Sequence, residues 1–339
     1  MQRMTGEARD LRVAVIGCGR IAQDHLHAYQ SIKQAELVAV ADVVERQAHS
    51  VGEQFGCRPF TDYRRMLEEV RPDAVSICTP PAAHAEITLE ALARGVHVLC
   101  EKPFAITLPD AKKMLNAAAD AGLVLMMASK FRFVDDVVKA KGVIDSGILG
   151  QIVLFENVFC SRVDMRGRWN SRKDIAGGGV LFDNGSHSVD LARYLLGPIK
   201  AVQAQHGLQV QLIEVEDTSR MYFKTAGGVM GSIDLSWSIH KEIESYVSVF
   251  GTEGTLSIGW RESKYRQSEK MGWVVFGTGY DKQRAFIRQQ GHFLDCAAGR
   301  ALPLITAADG LESVRVIEAA YRSSGVDKWA ELEPLESIR

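Results

Sequence analysis

Residues 11–17 (LRVAVIG) form a short apolar run that turns through Gly17-Cys18-Gly19-Arg20-Ile21-Ala22 into a helical stretch, and no other feature restricts the possible folds as strongly. A strand that enters a helix through so tight a turn must find its next strand in parallel orientation. The same alternation continues in 36–42 (ELVAVAD), 73–79 (DAVSICT), 96–101 (VHVLCE) and 124–129 (VLMMAS), with helical segments between them. These runs are rich in β-branched residues and predict a parallel sheet covered by helices on both faces.

The pattern changes near residue 129. After one helix at 134–146, long strand-like segments dominate, among them QIVLFENVFC, TSRMYFKT, GVMGSIDLSW and ESYVSVFG, interrupted by a single helix in SHSVDLARYLLG. Glycine-containing turns between them predict hairpins in a mostly antiparallel sheet. From Asp281 to about Ser324 the sequence returns to helix. The expected organisation is an α/β domain over 1–128 and an α+β domain over 129–339. In QIVLFENVFC, Ile152, Leu154 and Val158 fall on one side and Val153, Phe155 and Phe159 on the other. A sheet with helices on one face only would leave an apolar patch, so a homodimer or homotetramer is expected.

A chain of 339 residues with 46% hydrophobic and 24% charged residues has enough apolar material for two cores. A net charge of −2 gives no overall attraction to nucleic acid or an anionic membrane. The six cysteines are scattered, without CxxC or close Cys/His spacing, so neither a disulfide framework nor a metal site is expected. The polar opening MQRMTGEARD lacks the apolar segment of a signal peptide, and a cytoplasmic location is expected.

The glycine turn carries the first chemistry. Gly17 permits the tight bend, Gly19 lets backbone approach a pyrophosphate, and Ala22 allows close helix–strand packing. The diphosphate would sit on the amides of the helix start, at Arg20 and Ile21. Asp42, ending the next strand, is placed to accept hydrogen bonds from ribose hydroxyls and repels a 2′-phosphate, which favours NAD over NADP. Arg46 nearby weakens that preference.

Two further patches follow. Thr79-Pro80-Pro81-Ala82-Ala83-His84 and Glu101-Lys102-Pro103 lie at carboxyl ends of strands, where such sheets place their ligands. The segment from Gly177-Gly178-Gly179 through Asp183 and His187 to Asp190 opens the second domain's helix. The glycine turn, the Glu-Lys-Pro tripeptide and the GGGxxxDxGxHxxD segment together resemble the glucose–fructose oxidoreductase / inositol dehydrogenase / rhizopine-catabolism (Gfo/Idh/MocA) family, and the likeness spans nearly the whole chain. The resemblance implies a Rossmann domain followed by an open-faced antiparallel sheet domain, with a nicotinamide at their junction. It also implies cofactor contacts from Gly17, Gly19, Arg20, Ile21, Asp42, Thr79, Pro80, His84, Glu101 and Lys102. Lys102 would contact nicotinamide ribose and reacting hydroxyl, Asp183 would face the substrate, and His187 would accept the proton. The chemistry agrees: alcohol oxidation needs a base near neutrality and a positive charge where alkoxide develops.

A sugar-like substrate is expected, phosphorylated or nucleotide-linked if the basic loop 161–174 covers the cleft, with Arg166, Arg168 and Trp169 as its contacts. The segment Ser129-Lys130-Phe131-Arg132-Phe133 departs from the Asn-Arg-Arg-Phe pattern frequent in the family; Lys130 and Arg132 are further cleft candidates. Two other functions fit the same residues: an NAD-dependent glycosidase working by transient oxidation, and a non-catalytic dinucleotide-binding regulator.

Overall fold

The computed structural model describes residues 10–268 and 270–332; the polar opening segment read above lies outside them except for Asp10. Among the described residues the first half alternates strands and helices in the order β1 (Leu11–Ile16), α1 (Arg20–Gln30), β2 (Ala35–Ala41), α2 (Glu45–Phe55), β3 (Arg58–Phe60), α3 (Tyr63–Val70), β4 (Ala74–Ile77), α4 (His84–Ala93), β5 (His97–Glu101), α5 (Leu108–Ala121) and β6 (Leu125–Ala128). The strands form one parallel sheet in the order β3-β2-β1-β4-β5-β6. The chain reverses direction of travel across the sheet between β1 and β4, which opens a crevice at their carboxyl ends. The three-residue β3 went unread in the sequence because Arg58-Pro59-Phe60 is too short to display a period.

The second half runs α6 (Asp135–Asp145), β7 (Ile152–Cys160), α7 (Lys173–Ala176), α8 (Val180–Leu196), β8 (Ile199–His206), β9 (Thr218–Thr225), β10 (Met230–Ser236), β11 (Ser245–Gly251), β12 (Gly254–Gly259), β13 (Ser263–Gln267), β14 (Val274–Gly277), α9 (Lys282–Ala297), α10 (Ala307–Val326) and β15 (Ala330–Glu331). Its nine strands order as β14-β13-β12-β11-β7-β10-β9-β8-β15, antiparallel except where β10 runs parallel to β7. The fold class is therefore a parallel Rossmann-like sheet followed by a mostly antiparallel mixed sheet. Helix α8 lies on one face, over Phe155, Met221, Phe223, Ile233 and Leu235.

The opposite face is less apolar than the sequence suggested. Alternate residues of β9 present Arg220, Tyr222 and Lys224 outward, and Arg220 pairs with Asp234 of β10. Leu154 and Met230, partners across β7 and β10, keep 45% and 48% of their surface exposed and form the apolar part of that face.

The closing helices do not serve the second half alone. Phe293, Leu294, Leu311 and Val314 belong to the first core, and a Cβ on Gly310 would meet the Phe104 ring at 2.6 Å. A buried charge cluster fastens the same junction. Asp190 of α8, fully buried, accepts from Ser129 Oγ (2.5 Å) and from Arg132 Nη2 (2.6 Å) and Nε (3.0 Å). Arg132 also reaches Asp309 of α10 at 3.2 Å and the Leu304 carbonyl at 3.1 Å. Removing one partner of a buried pair strands the other charge. Asp190→Ala should lower the free energy of urea unfolding by about 3 kcal/mol, with Arg132→Met plus Asp190→Leu recovering most of it; a loss below about 1 kcal/mol would show that the cluster does not hold the junction.

Candidate active site at the domain junction

The glycine turn is shaped as a phosphate-binding turn requires. Gly17 has φ +91°, and a Cβ there would lie 2.7 Å from the Cys78 backbone, so both conformation and packing demand glycine. Gly19 caps α1 without a side-chain bond, and a Cβ there would meet no atom of the described residues within 4 Å. Protein packing gives no reason for that glycine; a dinucleotide diphosphate drawn onto the free amides of the first turn does. No acid occupies that turn, and the Arg20 side chain stands exposed in it. Asp42 accepts from the Cys18 amide at 2.8 Å through Oδ2 and from the Val44 amide at 2.9 Å through Oδ1. It thus braces the glycine turn, while each carboxylate oxygen keeps a second acceptor site for a ribose hydroxyl. The Thr79 hydroxyl is buried without a protein partner at the end of β4. These features fit a dinucleotide.

At the end of β5, Lys102 reaches across the cleft. Its ammonium pairs with the Asp183 carboxylate and lies 3.4 Å from the Asp183 carbonyl oxygen. Both side chains are mostly buried, at 15% and 22% exposure. Glu101, buried, accepts from the Lys102 amide at 3.1 Å and pairs with His25 of α1 at 2.9 Å. Its carboxyl is held below its ordinary range chiefly by the His25 hydrogen bond, against the burial that pushes it up.

One turn beyond Asp183, on the same side of α8, stands His187. It is 8% exposed, and its ring centroid lies 5.1 Å from that of Phe131 in an edge-to-face contact. Nδ1 is buried without a partner, which leaves Nε2 as the nitrogen open to a ligand. Burial, then the charges of Lys102 and Lys130, push the imidazole well below its usual 6.5. Lys130 lies over the Phe131 and Phe286 rings at 5.7 and 5.3 Å, and burial followed by the Lys102 charge brings its ammonium down to about 8. An ammonium, a carboxylate and a neutral imidazole, drawn from distant parts of the chain, therefore lie close together at the domain junction.

Comparison with known proteins shows the family. Residues 11–129 match the family described as the Gfo/Idh/MocA oxidoreductase family with an NAD-binding Rossmann fold, and residues 137–257 match the Gfo/Idh/MocA C-terminal domain. The chain belongs to this family. It is similar to an inositol 2-dehydrogenase from Rubrobacter xylanophilus, 30% identical over 98% of this chain and 96% of that relative. A D-apiose dehydrogenase from Paraburkholderia graminis is 28% identical, covering 98% and 92%. Among solved structures, the WlbA dehydrogenase from Bordetella pertussis, in complex with NADH and UDP-GlcNAcA, superposes with a TM-score of 0.83 at 26% identity, covering 97% and 100%. The chain is accordingly an oxidoreductase with NAD as its cofactor.

Several site expectations are revised within this Gfo/Idh/MocA chain. Arg132 leaves the cleft set: its guanidinium is spent on Asp190, Asp309 and Leu304, as described above. Its neighbour Lys130 remains, because no ion pair or hydrogen bond holds its ammonium among the described residues. His84 is fully buried, its Nδ1 2.8 Å from the Pro103 carbonyl and its Nε2 2.9 Å from the Thr79 carbonyl. It packs between the two cofactor-side loops, donates to one of these carbonyls as a neutral imidazole, and offers no nitrogen to a ligand. Asp183 makes no hydrogen bond to His187, so it orients Lys102 rather than the imidazole. Arg166 is exposed and chelates Asp164 of its own loop through Nε (2.9 Å) and Nη2 (2.7 Å). Arg168 has no such partner among the described residues, and Trp169 is 39% exposed. That loop ends in α7, which packs against the turn Pro81–Ala83 after β4 and so bridges the cleft.

Sequence reasoning missed Tyr280, whose ring lies 5.3 Å from Phe131 and 5.6 Å from Trp260. No local pattern distinguishes it from any tyrosine before a helix. The state of His187 gives a direct expectation. An imidazole pushed below 6.5 stays neutral at pH 7, so proton transfer through it should give a kcat/KM that falls only as pH drops below 6.5. A descending acid limb centred above that value would contradict the placement.

Proposed function

We propose that this chain oxidises a secondary hydroxyl of a sugar or polyol, reversibly, with NAD as hydride acceptor. The observation that carries this reading is the meeting of Lys102, Asp183 and His187 beside a turn built for a dinucleotide. The named relatives and the solved neighbour act on or bind sugars, polyols and nucleotide sugars, and they support the substrate class without choosing within it.

NAD supplies the hydride-accepting carbon, and the side chains handle the proton and the charge. His187 Nε2 takes the hydroxyl proton; its neutrality at pH 7 makes it competent to do so. The Lys102 ammonium stabilises negative charge as it develops on the same oxygen, in a crevice where water screens it poorly. Asp183 keeps that ammonium in place and has acceptor capacity left for a neighbouring substrate hydroxyl. Asp42 prefers ribose hydroxyls to a 2′-phosphate and sets NAD above NADP. Lys130, Arg168 and Trp169 are the candidates for recognising the rest of the substrate. Association of two or four copies through the outer sheet face, around Leu154, Tyr222 and Met230, completes the reading.

A panel of inositols, free hexoses, sugar phosphates and nucleotide sugars, assayed for NADH with either dinucleotide, tests it. Lys102→Ala and His187→Ala should each lower kcat by about 100-fold or more while NADH affinity stays within about threefold. Product formed without accumulating NADH would favour the transient-oxidation glycosidase instead. Asp42→Ser should shift the ratio of kcat/KM for NAD over NADP towards NADP by about tenfold, and an unchanged ratio would remove Asp42 from the cofactor site.

A further inference from the structure

The three glycines before α8 have an explanation inside the protein. Gly177 has φ +82°. A Cβ on Gly178 would lie 2.1 Å from the Tyr321 hydroxyl, and one on Gly179 would lie 2.0 Å from the Glu216 carbonyl oxygen and 2.8 Å from its carboxyl. The run is stripped of side chains so that Glu216 and Tyr321 can close on the helix start.

What they form there is a cap supplied from elsewhere in the chain. Gly179 at the helix start offers no side chain to satisfy the first free amides of α8. The Glu216 carboxylate accepts from the Gly179 amide at 3.1 Å and from the Leu181 amide at 3.0 Å, and the Glu216 carbonyl accepts from Val180 at 2.9 Å. The Tyr321 hydroxyl of α10 donates to the same carboxylate at 2.7 Å. Negative charge at this end also meets the positive end of the helix dipole.

The segment that carries Glu216 is itself tied down. The adjacent Asp217 accepts from the amides of Val210 (2.9 Å) and Gln211 (2.6 Å) and from Ser238 Oγ (2.8 Å). Gln211 in turn donates to the carbonyls of Val163 (2.9 Å) and Trp237 (3.1 Å) and accepts from the Met165 amide (2.9 Å). Glu216 is thus a fixed point against which α8 is set. Asp183 lies in the first turn above it, with its amide 2.9 Å from the Gly179 carbonyl, and His187 lies one turn further on.

We propose that Glu216 is the positioning residue of this site: its carboxylate, oriented by Tyr321, fixes the start of α8 so that Asp183 meets Lys102 and His187 faces the same crevice. The inference rests on the dehydrogenase reading for its catalytic consequence and on the protein alone for its structural one. Placement errors of about 1 Å cost up to about 100-fold in rate, so the effect belongs in kcat and not in cofactor binding.

The test uses Glu216→Ala, Glu216→Gln and Tyr321→Phe in the full chain, with amide hydrogen exchange, NADH affinity and pH-dependent kinetics on each. In Glu216→Ala, exchange from Val180 to His187 should rise while α10 keeps its protection, and kcat should fall by about 10- to 100-fold with NADH affinity within about twofold. An Asp183 that leaves Lys102 uncovers its charge beside His187 and Lys130, so the acid limb of kcat/KM should move to lower pH, a change that loss of stability alone does not produce. Glu216→Gln keeps the size and one acceptor oxygen, and should lose about fivefold in kcat; Tyr321→Phe keeps the carboxylate and should lose less. If Glu216→Ala does not fold, Glu216→Gln decides. Folded variants with wild-type exchange, kcat and acid limb overturn the proposal. A wild-type protein that turns over no sugar or polyol overturns the dehydrogenase reading instead, and the exchange experiment still decides whether Glu216 sets α8.

Discussion

The proposed proton and charge chemistry depends on one ion pair across the domain junction, Lys102 to Asp183. Lys102 ends the fifth strand of the parallel sheet, and Asp183 stands in the first turn of the helix that covers the antiparallel one. Neither domain alone makes the site. The pair is mostly buried, so each charge needs the other, and the two halves must meet in one arrangement for both to be satisfied.

Other contacts at the junction serve the same end. His84 packs between the loop after β4 and the loop after β5, bracing the backbone on which Lys102 stands. Glu101 anchors the Lys102 amide and reaches His25 on the helix that follows the glycine turn. Asp190, with Arg132 and Ser129, ties the segment of α8 beyond His187 to the end of β6. The cofactor turn, the lysine and the imidazole are therefore referenced to one another through short chains of buried polar contacts, the kind of support a preorganised site requires.

The parts of this design readable in the sequence are those whose cause is local. The turn at Gly17 needs a positive φ, the strands need β-branched runs, and the acid at Asp42 follows a strand by a fixed interval; all three leave marks in the residues themselves. Lys102, Asp183 and His187 stood out only as a set, through resemblance. What could not be read depends on partners chosen by the tertiary fold. Arg132 is a cleft candidate from its place after the fifth helix–strand unit, yet Asp190 and Asp309 neutralise it from 58 and 177 residues away. The expectation of an apolar outer face rested on the β7 segment, and sheet pairing set beside it the polar row of β9, where Arg220 meets Asp234. The glycine run before α8 could be read only as part of a motif, because Glu216 and Tyr321, which close on it, lie far away in the chain.

The central claim is that one hydroxyl of a sugar-like molecule is gripped by an ammonium and an imidazole held on opposite sides of a domain junction. A crystal structure with NADH and a sugar or polyol bound tests it most directly. The account predicts a single substrate oxygen about 3 Å from both Lys102 Nζ and His187 Nε2. A substrate seated in the crevice with its reacting oxygen bonded to neither would contradict it.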